Sequence, residues 1–75
     1  MPRYFFNLYD GSVHVDDVGE ELDDASAALA QATVMAGDTL RDMEGRLRPG
    51  EELRLELTDE FSDPLYVIRV SVERA

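Results

Sequence analysis

The sequence predicts an α+β domain of ββαββ order, with four strands in one sheet and one long helix on one face of it. Three observations carry that expectation. An Asp10-Gly11 dipeptide separates two apolar runs near the N-terminus. A stretch of about 20 residues then carries apolar positions at helical spacing, and two alternating segments follow, separated by a short polar loop. With 75 residues, the chain is expected to form a single domain, residues 1–75.

The first strand is Tyr4 to Tyr9, and the second follows Asp10-Gly11 as Ser12 to Asp16. Asp-Gly suits a two-residue type I′ turn, which needs positive φ at both central positions. That loop would pair Tyr9 with Ser12, Leu8 with Val13, Asn7 with His14 and Phe6 with Val15. Tyr4, Phe6, Leu8, Val13 and Val15 would then share one face.

Residues 16–24 form a connection with six carboxylates. Asp23 or Asp24 is placed to cap the following helix, because its side chain can accept from backbone N–H groups that have no helical partner. The helix should run to about Glu44 with Ala25, Leu29, Ala32, Ala36, Leu40 and Met43 on one face. Gly45 is its stop, and Arg41, Arg46 and Arg48 suit the negative end of the helix dipole.

The second hairpin comprises Glu51 to Asp59 and Leu65 to Val72. Leu53, Leu55 and Leu57 alternate with Glu52, Arg54 and Glu56, the pattern of a half-buried strand. A loop over Glu60 to Asp63 pairs Leu57 with Tyr66, Leu55 with Ile68 and Leu53 with Val70. Pro64 stands at the start of the last strand, where a missing N–H is tolerated. The first and fourth strands are apolar on both parities, whereas the second is short and the third is charged on one. Charge belongs at sheet edges. The expected order is therefore 2-1-4-3, with strands one and four parallel at the centre and 1-2-3-4 as the alternative. The helix would cover Phe6, Leu8, Leu55 and Ile68.

A net charge of −10, with arginine as the only strongly basic residue, argues against nucleic-acid binding and against an anionic membrane surface. No apolar run is long enough to span a bilayer, and the N-terminus lacks a signal-peptide pattern. The chain has no cysteine, so neither disulfides nor thiolate metal sites support it, and a cytoplasmic location is expected. No phosphate loop, dinucleotide fingerprint, nucleophile elbow or metalloprotease helix is present. No catalytic residue, cofactor or metal ligand is therefore assigned, and the chain reads as a non-enzyme. His14, the only histidine, is expected opposite Asn7 on the face away from the helix, with no partner for general-base work.

The opening Met1-Pro2-Arg3-Tyr4-Phe5-Phe6-Asn7-Leu8 and Asp10-Gly11 are more specific than any of this. Together with Asp17, Gly19, Glu21-Leu22, the alanine-rich helix and Thr58-Asp59-Glu60, they resemble a family of short uncharacterised bacterial proteins. That family is a domain of unknown function whose connection reads Asp-x-x-Gly-x-Glu-Leu. Asn7 stands where many members have histidine, and the late turn lacks their glycine. The resemblance implies a bacterial, cytoplasmic single-domain protein and no activity.

One helix covers one face of a sheet. On the other face the expected order brings Phe5 and Tyr9 beside Leu65 and Val67, with Arg54 and Arg69 opposed across the second hairpin. A contiguous apolar patch with unbalanced arginines marks an interface. The expected function is therefore a protein-interaction module that forms a homodimer or docks a protein partner there. Divalent-cation or small-ligand binding by the 16–24 connection is the alternative.

Overall fold

The computed structural model describes residues 2–75; Met1, the first residue of the opening motif, lies outside them. The elements are β1 (Arg3–Tyr9), β2 (Val13–His14), β3 (Glu20–Glu21), α1 (Ala25–Asp42), β4 (Glu52–Thr58) and β5 (Pro64–Ser71). The α+β class is as expected, but the sheet has five strands and every pairing is antiparallel. Its order is β2-β1-β4-β5, with β3 pairing a second part of β1.

This corrects both expected orders. β4 rather than β5 lies beside β1, and the two central strands are not parallel. The reason lies in where charge can sit. Leu53, Leu55 and Leu57 of β4 are all buried on the helix side. Glu52, Arg54 and Glu56 alternate with them and point to the face that no helix covers. An antiparallel strand can be central while one of its faces meets water, so charge on one parity does not mark an edge. β5, apolar on both parities, is the strand left at the edge.

The first hairpin also differs from expectation. Leu8 pairs with His14 and Tyr9 with Val13, which makes Asp10-Gly11-Ser12 a three-residue loop. Among these three residues only Gly11 has positive φ, at 99°, so the two-residue I′ geometry is not formed. The Ser12 N–H donates to Asp10 Oδ1 at 3.2 Å and holds the turn. A one-residue slip exchanges faces. Val13 and Val15, expected in the core, are 66% and 69% exposed, while His14 turns to the helix side with Leu8.

Beyond β2 the chain runs back along β1, and one side chain holds it there. Asp16 Oδ2 accepts from the Phe6 N–H at 3.1 Å, and Asn7 Oδ1 accepts from the Asp16 N–H at 3.0 Å. The other carboxylate oxygen accepts from Val18 and Gly19 at 3.1 and 3.0 Å, which turns the chain. β3 then pairs Glu20 with Tyr4 and Glu21 with Arg3, and the Leu22 N–H donates to Pro2 O. Arg3 reinforces the return with bonds to Val18 O and Glu21 Oε1, at 2.9 and 3.0 Å. Gly19 has φ 74°, and a Cβ there would lie 2.9 Å from both Arg3 Cγ and Phe5 Cε1 and 3.0 Å from Tyr4 O.

Asp24 caps α1, its Oδ1 accepting from the Ala27 N–H at 2.8 Å. At the other end the Arg46 guanidinium donates to Met43 O and Asp42 O, satisfying final carbonyls as the sequence suggested. Ala28, Ala32 and Ala36 form the buried stripe; Ala32 and Ala36 are on the expected face, Ala25 and Leu29 of that face pack at its margin, and Ala28 is the residue the expectation left out. These small side chains let the helix approach β4 and β5. Tyr4, Phe6, Leu55 and Leu57 complete the core with them. The second hairpin pairs Leu53, Leu55 and Leu57 with Val70, Ile68 and Tyr66, as expected. Between Leu57 and Thr58 the register shifts, leaving Leu65 as the extra residue of a bulge.

Two consequences are measurable. Burial raises the Asp16 pKa, but the backbone N–H groups of Gly19, Phe6 and Val18 favour the carboxylate and leave it below the ordinary value. A depressed folded pKa adds stability that is present above about pH 4, where the unfolded aspartate ionises, and is lost as pH falls through the folded value. Asp16→Ala should therefore cost about 1–3 kcal/mol at pH 7, measured by urea unfolding, and should flatten the acid limb of the stability profile. Gly19→Ala should cost on the order of 1–3 kcal/mol in the same assay, from positive φ and steric crowding together.

Candidate functional site

The registers fix what lies on the sheet face opposite the helix. Across it run the rows Tyr9–Arg54–Arg69 and Asn7–Glu56–Val67, while Phe5 pairs with Thr58. The expected contiguous patch is thus not assembled. β4 places Arg54, Glu56 and Thr58 between Phe5 and Tyr9 on one side and Val67 on the other. Phe5 and Tyr9 are half-buried, and Phe5 packs beside Gly19.

The expected opposition of Arg54 and Arg69 is present. The Arg54 guanidinium carbon lies 4.2 Å from the Tyr9 ring centre, a cation–π stack that fixes the side chain. Its Nε is buried and has no hydrogen-bond partner among the described residues. Arg69 leans the other way, with Nε 3.4 Å from Glu52 Oε1.

The edge beyond is more open. β5 ends the strand order, and among the described residues no strand pairs its outer side. Leu65, Tyr66 and Val67 are 37%, 43% and 44% exposed. Residues 64–72 contain no acidic side chain, and Arg69 is their only charge. Pro64 and the bulge protect only the beginning of this strand.

The acidic connection does not converge. Both oxygens of Asp16 are occupied by backbone N–H groups, Asp24 caps the helix and Glu21 pairs with Arg3. Among the described residues no group of three or more histidine, cysteine or carboxylate side chains is arranged to hold a metal ion. No helix among them is long and apolar enough to cross a membrane.

A second surface escaped the sequence reading. Between α1 and the β1–β2 side lies an open groove of about 550 Å³, with Phe6 and Leu8 below and Gln31 and Met35 on the helix wall. A further hollow of about 330 Å³ continues it past Thr39 and Met43. Leu8 and His14 line both. His14, expected on the other face beside Asn7, stands here with Nε2 3.2 Å from Asp10 Oδ1. The signal for this groove is helical: Gln31, Met35 and Thr39 recur at steps of four beside the alanine stripe.

An antiparallel sheet with one helix on one face and β5 at its edge defines the class: a small α+β fold. The chain belongs to the family described as Domain of unknown function (DUF6894), which matches residues 3–71. No curated protein matches it, and no solved structure does.

The Arg54 geometry makes its own prediction. Like-charge opposition and an unpartnered buried nitrogen cost more together than the Tyr9 stack returns. Arg54→Met keeps the packed stem and should raise stability by about 1 kcal/mol in urea unfolding. A clear loss would show that Arg54 supports the fold.

Proposed function

We propose that the protein is a non-enzymatic interaction module that self-associates, β5 of one copy adding antiparallel to β5 of another. The supporting observation is an exposed, unpaired, acid-free edge strand in a chain of net charge −10. The helix stretch 25–37 is acid-free as well, but its backbone groups are already paired within α1, whereas those on the outer side of β5 are not. Along β5 the like-charge repulsion is low, and unpaired backbone groups and apolar side chains are both available for burial. The open face beside it carries Val67, Arg54 and Arg69 into the rim of such an interface. An antiparallel arrangement also sets the acidic Asp59–Asp63 loop of one copy toward the Arg69–Arg74 end of the other. The cysteine-free chain suits a reducing cytoplasm.

Light scattering coupled to size exclusion tests this directly. The wild-type chain should elute with twice its 8.4 kDa mass, and Leu65→Glu with Val67→Glu should elute as a folded monomer. Both positions are exposed, so circular dichroism should be unchanged. A wild-type monomer at 100-micromolar concentrations, roughly where weak strand-addition dimers form, overturns the proposal.

A further inference from the structure

We infer that the groove between α1 and the β1–β2 side is a docking site for a short extended segment of a partner protein with alternating basic and apolar residues. This surface is separate from β5, and the inference does not depend on self-association.

The floor is apolar where a covered core would be closed. Leu8 and Met35 are only partly buried, and Val15, on the outer wall, is 69% exposed. These side chains leave water only if another molecule supplies the missing cover. The hairpin register explains the gap. The three-residue loop turns Val13 away from Leu8 and puts the polar His14 there instead.

The rim decides the chemistry. Asp16 and Glu20 border one end, with Asp10 and Asp42 at the other; Asp16 is engaged by backbone N–H groups and Asp10 by Ser12 and His14, so Glu20 and Asp42 are the carboxylates left to meet a cation. Against these stand His14, already beside Asp10, and Arg46, whose guanidinium is committed to the helix C-terminal carbonyls. The acidic connection 16–24 continues beyond the rim, and its nearest cation, Arg3, is bonded to Val18 O and Glu21. An apolar floor inside a carboxylate rim is complementary to apolar side chains flanked by lysine or arginine.

The length follows from the helix wall. Gln31 to Met43 spans about 18 Å at 1.5 Å per residue. An extended chain covers that distance in about five or six residues, with alternate side chains facing down. Leucines would reach Leu8 and Met35 while lysines meet the rim. The flexible, polarisable Met35 and Met43 adapt to such a guest.

The test uses two ten-residue peptides of equal charge, one alternating lysine with leucine and one alternating lysine with serine. The protein carries ¹³C at its methionine methyls and ¹⁵N at its amides, in the Leu65→Glu, Val67→Glu background so that self-association plays no part. The leucine peptide should shift Met35, Met43 and the amides of residues 8 and 14–16, and should bind at least tenfold more tightly than the serine peptide. Val15→Lys, an exposed position that leaves folding intact, should weaken it at least tenfold. Equal binding of both peptides would reduce the effect to bulk charge and overturn the inference. So would shifts centred on β4 and β5, or no shift at millimolar peptide.

Discussion

The carboxylate of Asp16 holds the outer edge of β1, the one place in the sheet's centre where strand pairing is thin. β1 supplies Tyr4 and Phe6 to the core and needs hydrogen-bond partners along both of its edges. β4 satisfies the inner edge continuously. The outer edge is served in pieces: two residues of β2, two of β3 and, between them, the Asp16 side chain standing in for a strand. A strand there would bond Phe6 with a carbonyl. Asp16 does so with a charged acceptor, which makes a stronger bond, and its second oxygen turns the chain so that β3 can form. Asn7 closes the bracket by accepting from the Asp16 N–H. In a chain with 17 acidic residues, nearly all of them on the surface, this is a carboxylate used as a backbone element.

The second constraint is the alanine stripe. Ala28, Ala32 and Ala36 bring α1 down over β4 and β5, whose leucines and Ile68 fill the space beneath. A helix so placed leaves the β2 end of the same face partly bare. Tyr4 and Phe6 fill the nearer part, and beyond Leu8 the groove opens. The off-centre helix therefore explains both the dense core beneath it and the recess beside it.

Most of the fold was legible in the sequence, and the misses have physical causes. The second hairpin was readable because two apolar sets of one parity coincide only in one register, whatever the loop does locally. The first hairpin offered a weaker check. Val13 and Val15 are β-branched and match Phe6 and Leu8 by type, yet Gly11 alone cannot provide the two positive φ angles of the I′ turn. Strand order failed because the charges of β4 were read as an edge signal, when they belong to an uncovered face. Asp16 was hidden among its acidic neighbours, since which carboxylate meets Phe6 depends on the register that was misplaced. At the candidate interface, the opposition of Arg54 and Arg69 followed from the second register and is present. The apolar patch followed from strand order and is not. The groove could not be found from a register that put Val13 against Leu8.

The order β2-β1-β4-β5 also sets how the two proposed surfaces relate. The groove lies at the β2 end and the free edge at the β5 end, with the two central strands between them. Pairing two copies through β5 would extend the sheet across the new junction and leave a groove at each outer end. Their charges differ in the same sense. The acid-free strand faces the neighbouring copy, whereas the carboxylates of residues 16–24 gather at the far end, where a like-charged copy is repelled and a basic segment is drawn in. If both proposals hold, one charge distribution separates the two contacts: the acid-free β5 would meet a second copy, and the carboxylates at the far end would disfavour a second copy in the groove.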